Sequence, residues 1–213
     1  MKGLLIKDMM LNFRSFKTIF IYLFISVFMS FSMDGSFIIA YTAMLLGMMG
    51  LGTIAYDEMD NGYPFLLSLP GSRKTYVQEK CLYCSIMEVI GAIFGLLIYV
   101  ISSIIKGVDI DLTNGLPMVI GIILVTMLVI FFMIMIELKY GSEKSRVVLM
   151  IIYGVLFVLM MAISRVKPLS IFIFKIVNSL SETLLISSIF IIVIALMILF
   201  YFLSVRVMEN KEF

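Results

Sequence analysis

The chain has 213 residues, 62% apolar and 14% charged, with a formal net charge of +2 and a mean hydropathy of +1.16. A soluble domain carries about 45–50% apolar and about 25% charged residues, and disorder needs low hydrophobicity with high net charge, so both classes are excluded. With no His and only two Cys, the commonest metal ligand, the commonest general base and any disulfide framework are missing too. What remains is an all-α integral membrane protein with little soluble mass, no metal site and no nucleic-acid partner.

The chain begins MKGLLIKD, with an acid and no small-residue cleavage site, so no removable signal peptide is expected. At about 100° per residue, Leu5, Ile6, Met9, Met10, Phe13 and Phe16 share one face of residues 1–17. Lys7, Asp8, Asn12, Arg14 and Ser15 take the other, which is the pattern of an interfacial helix. Leu4 and Leu11 stray onto the polar face, either as imperfect amphipathicity or as a contact with a cytoplasmic partner.

Six apolar runs follow, at 18–33, 37–56, 81–105, 116–136, 147–164 and 183–205. A span needs about 20 mostly apolar residues. The first run is short, and the third, at about 37 Å of helix, must tilt or protrude. Six spans put both termini on one side. With the termini and the loops 57–80 and 137–146 inside, 12 of the 16 Lys and Arg are cytoplasmic and 4 are outside, which selects this orientation. No linker or repeat divides the chain, so 1–213 reads as a single membrane domain.

The loop 57–80 reads DEMDNGYPFLLSLPGSRKTYVQEK. Its acids Asp57, Glu58 and Asp60 stay out of hydrocarbon, Gly62 permits a turn, and Pro64 suits the first turn of a helix. A very short apolar helix is predicted over 65–69, stopped by Pro70-Gly71, with Ser72 as N-cap of the next helix. It shows Phe65, Leu66, Leu67 and Leu69 outside the bilayer, so something must bury it: its own bundle or a separate docking protein. Cys81 and Cys84, with no second pair and no His, read as buried small residues rather than zinc or redox ligands.

Glu88 is an acid deep in the third run. An ionised acid near mid-bilayer costs roughly 2.5–3.5 kcal/mol on insertion scales, so it should face the bundle interior. It reads either as a cavity-lining or gating residue, or one that accepts a cationic group of the substrate, or as a structural partner of a Ser, Tyr or Lys on a neighbouring helix. The loop 106–115 looks like a polar turn. The loop 137–146, ELKYGSEKSR, is a charged reversal with Gly141 at the turn. The outer segment 165–182 holds an apolar run too short to span and is expected to be re-entrant or to lie on the surface.

Taken together, the sequence resembles the small six-helix permease subunits of ABC-2-type exporters. The first loop is similar to the family's acid, glycine, FLLSLP and Ser-Arg pattern, here Glu58, Gly62, Phe65, Leu66, Leu67, Ser68, Leu69, Pro70, Ser72 and Arg73, with Val77 and Lys80 beyond. The second is similar to its Lys-aromatic-Gly-x-Glu-Lys stretch, here Lys139, Tyr140, Gly141, Glu143 and Lys144, then Arg146. Gly71 stands where a branched apolar residue is usual, and Pro64 where a polar one is usual. The resemblance implies an elbow helix over 1–17, a coupling helix in 57–80 that seats in an ATP-binding subunit, and a re-entrant hairpin in 165–182. It also implies two permease copies with two ATP-binding subunits in a bacterial plasma membrane. In size and general character the chain is most like permeases of the phenol-soluble modulin exporters, which expel amphipathic peptides.

The chain contains no G-x-x-x-x-G-K-[ST], so it binds no cofactor of its own, is not by itself an enzyme, and leaves ATP and Mg to a partner. An ion-coupled carrier using Glu88 as its proton site is the alternative, although such carriers usually need several midplane ionisable or broken-helix sites.

Overall fold

The computed structural model describes residues 2–14, 16–59, 62–68, 73–107, 112–165 and 182–211. Their regular structure is entirely helical: α1 (Lys2–Arg14), α2 (Phe16–Ser30), α3 (Gly35–Glu58), α4 (Gly62–Ser68), α5 (Arg73–Lys106), α6 (Leu112–Tyr140), α7 (Ser142–Arg165) and α8 (Glu182–Glu209). α3, α5, α6, α7 and α8 are each long and apolar enough to cross a membrane. The expected first span is shorter. α2 has 15 residues, about 22 Å, which falls below a bilayer core of about 30 Å. A sixth span is reached when α1 and α2, bent 66° from one another, are counted together. The outer segment lies outside the described residues over 166–181, as does 108–111. α6 begins at Leu112, inside what reads from sequence as a polar turn.

Among the described residues α3 and α5 form the most extensive pairing. They run antiparallel and close because small residues line the seam. A Cβ at Gly91 would fall 2.5 Å from the Thr42 carbonyl oxygen, and one at Gly95 would fall 2.8 Å from Ile39 Cα. A Cβ at Gly50 would meet Cys84 Sγ at 2.9 Å, so the two cysteines, both free and buried, are packing residues as expected. Small side chains let helix backbones approach in this way where apolar burial gives no advantage over lipid. The burial gradient across the bundle follows: 56% of the most apolar stretch of α3 is buried, against 6% for α7 and for α8.

The main apolar core gathers Leu51, Ile54, Tyr76, Val77, Ile130, Ile134, Leu138 and Met208, at the end where α3, α6 and α8 finish and α5 begins. A smaller cluster of Ile39, Ala43 and Ala92 sits toward the other end. There Lys106 donates to the last-turn carbonyl of Ser30, tying α5 to α2 at 2.6 Å.

Candidate functional site

The polar face of α1 turns inward. Asp8 and Asn12 are buried while Ile6, Met9, Met10 and Phe13 are exposed, so the amphipathic pattern is present and its charged side, not its apolar side, grips the protein. The grip is an ionic cluster. The Lys80 ammonium, with no exposed surface, is paired with Asp8 and lies 2.7 Å from Asp57 Oδ2. It also donates to the Thr53 hydroxyl at 2.9 Å, which in turn donates to Asp8 Oδ2 at 2.9 Å. Lys7 bridges the same two aspartates, 2.9 Å from Asp8 Oδ1. Tyr76 donates to Asp57 at 3.0 Å, Asn12 to the Tyr83 hydroxyl at 2.7 Å, and Tyr83 to the Asp8 carbonyl at 3.2 Å. Burial pushes the Asp8 carboxyl up, but Lys80 and Lys7 more than reverse this and hold it below its ordinary value.

This cluster joins α1, α3 and α5, and sequence reading missed it. Lys7 and Asp8 had looked like a solvated face, and Asp57 like a loop acid. The available signal was the spacing: Asp8 and Asn12 lie one turn apart on α1, and Thr53 and Asp57 one turn apart on α3.

Next to the cluster the two loop motifs meet. The Glu58 carboxylate accepts the Ser142 main-chain N–H at 2.5 Å, capping the start of α7. An acid is favoured at that position by the orphan N–H groups and the positive end of the helix dipole. Gly141 makes the reversal between α6 and α7 at φ +81°, and a Cβ there would lie 2.3 Å from Glu58 Oε1. Gly62 is equally constrained, since its Cβ would lie 2.6 Å from the Asp57 carbonyl oxygen. Glu143 and Lys144 are exposed on the first turn of α7, and Lys139 is exposed on the last turn of α6.

The short helix between spans is present as α4, starting three residues earlier than predicted, with Pro64 in its first turn. Its apolar residues do not all face outward as expected. Phe65 is 70% exposed, whereas Leu66 packs against the bundle's own core. Tyr63 is buried edge-on against Tyr76, with ring centroids 6.0 Å apart, and burial raises its phenol pKa above the usual value. Leu67 lies on the same helix, and Leu69, Pro70, Gly71 and Ser72 lie outside the described residues. Arg73 turns back onto the C-terminus of α8, donating to the carbonyls of Glu209 at 2.6 Å and Lys211 at 3.0 Å.

Glu88 stands apart from this assembly. It has no exposed surface, faces α3 beside Gly47, and neither carboxyl oxygen has a hydrogen-bond partner among the described residues. The Ser, Tyr or Lys bond expected of a structural acid is not among the described contacts. The nearby Thr126 hydroxyl donates to its own helix, to the Ile122 carbonyl at 2.9 Å. No group of residues suited to a metal ion occurs among the described residues.

The arrangement is a multi-span bundle whose interspan loops lock to one another and to an N-terminal surface helix. No curated protein and no solved structure matches the chain. The family described as ABC-2 family transporter protein matches residues 3–209. Such proteins are transport membrane subunits, generally not catalytic themselves, and imply an ATP-binding partner. The match reaches from α1 to the end of α8, and the chain belongs to the ABC-2 family of transporter membrane proteins.

Proposed function

We propose that this chain is the permease half of an ATP-driven exporter, with both termini cytoplasmic in a bacterial plasma membrane. Two copies work with two ATP-binding subunits that carry ATP and Mg, and α4 is the helix on which those subunits pull. The cargo is an amphipathic peptide of the phenol-soluble modulin kind or another hydrophobic molecule, in keeping with spans rich in Phe, Met, Ile and Leu. The observation that carries the reading is the wiring of α4. It shows Phe65 outward, yet Tyr63 and Leu66 root it in the core, and the residues just before it, Asp57 and Glu58, clamp α1, α5 and α7.

A force applied at Phe65 therefore reaches four other helices through buried contacts. When ATP closes the motor pair, α4 moves with it and tips the bundle toward release. The motor can shift that equilibrium only by its differential affinity for the two states. The test is co-purification of the tagged chain with the products of its neighbouring genes. An ATP-binding protein retained in stoichiometric amount is expected. Full export activity by the chain alone, without any ATP-binding protein, would refute the reading. The buried Glu88, whose carboxylate lacks a well-formed hydrogen bond among the described residues, favours one other reading, an ion-coupled carrier, which predicts that loss of the membrane proton gradient and not loss of ATP stops export.

A further inference from the structure

α6 and α8 finish side by side, and an open cavity of about 370 Å³ lies between their ends. Among the described residues Lys139, Leu203, Arg206, Val207, Asn210 and Lys211 line it, three cations and no acid. Lys211 is engaged, donating to the Leu138 carbonyl at 3.1 Å and lying 4.9 Å above the Tyr63 ring. The carbonyls ending α8 are taken by Arg73. Lys139 and Arg206, both exposed and each in the last turn of its helix, therefore bring their charge to the cavity mouth.

The apolar part of the lining, Leu203 and Val207, does not stop at the cavity. Leu203 and, one turn deeper on the same face of α8, Leu199 are both exposed. A soluble acidic partner would use the cations and leave this track bare. A molecule with an anionic head and a hydrocarbon tail uses both.

We propose that the cavity binds an anionic phospholipid, its phosphate between Lys139 and Arg206 and an acyl chain along Leu203 and Leu199. Basic pockets between spans at the membrane surface suit anionic headgroups. The proposal rests on family membership and on this geometry, not on the cargo or on the role of α4.

The test is native mass spectrometry of the purified chain, equilibrated in detergent with equal amounts of phosphatidylglycerol and phosphatidylcholine. Phosphatidylglycerol should be retained in preference, and Lys139→Gln with Arg206→Gln should lower its retention about tenfold or more, as expected for two charges beside one phosphate. The control Lys2→Gln with Lys74→Gln removes two exposed charges elsewhere and should leave retention unchanged. If the double site variant does not fold, each single variant should lose part of the preference. The proposal is overturned if wild type holds both lipids equally, or if the control loses as much as the site variant. Displacement of the lipid by millimolar glycerol phosphate would also overturn it, because the site would then read a free phosphate and not a lipid.

Discussion

Lys80 and Glu88 are two turns apart on α5 and neither has any exposed surface, yet Lys80 is ringed by ion pairs and a hydroxyl while the Glu88 carboxylate lacks a well-formed hydrogen bond among the described residues. Lys80 holds three helices together at the loop-bearing end. Glu88 sits where α5 passes α3 in the middle of the span. A buried charge inside an ion-pair network can be removed only by breaking the network, whereas a buried acid that makes no such pairs contributes no ion pair that a neutral side chain would lose. The first is therefore a fastener, and the second makes no comparable tie among the described residues.

The largest effect should come from Lys80→Met. It removes the fully buried cation and leaves only the partly exposed Lys7 to pair Asp8 and Asp57, and breaking a buried ion pair from one side costs about 3–5 kcal/mol. Thermal unfolding in detergent should show a marked fall in stability, with α1 the first segment exposed to protease. Replacing Asp8 and Lys80 together with Asn and Met should recover part of the loss.

A second comparison sets the α3–α5 seam against the outer helices. Gly91→Ala forces a methyl group against the Thr42 carbonyl and should destabilise by about 1–3 kcal/mol, as overpacking does. Gly154→Ala on α7 meets nothing within 4 Å and should leave the unfolding midpoint unchanged or raise it.

Smaller again is Glu58→Ala, which removes the cap on α7. A lost N-terminal cap costs about 0.5–2 kcal/mol, readable as faster hydrogen exchange over residues 142–146. Glu88→Gln should change stability least of all, because it deletes no hydrogen bond or ion pair made by the described residues. If export falls while the unfolding midpoint holds, Glu88 serves transport. A large drop in the midpoint would make it structural and erase the contrast with Lys80.

Much of this architecture was legible before any coordinates. The apolar runs located the long spans, because a span must be apolar over most of its length whatever its neighbours. Gly141 marked its turn because only a residue that tolerates positive φ fits between two abutting helices. The cluster was not legible. Lys7, Asp8, Asp57 and Lys80 are scattered along the chain, and hydropathy scores each as surface. Their pairing depends on how α1 lies across α3 and α5, which is a tertiary fact. The close approach of α3 and α5 was not legible from hydropathy either, because Gly91 and Gly95 act through the space they leave and not through apolarity. For α4, composition gave an apolar helix but not its inner side, so Leu66 read as exposed although the core covers it.

The central claim is that α4 is where the motor pulls, and Phe65→Ala tests it most directly. The side chain is 70% exposed and lies outside every span. Burying a Phe side chain in a partner is worth about 1.5–3 kcal/mol. Retention of the ATP-binding subunit by the tagged permease should fall by about tenfold or more, with export falling alongside and the unfolding midpoint of the permease unchanged. Undiminished retention and export by this variant would contradict the account.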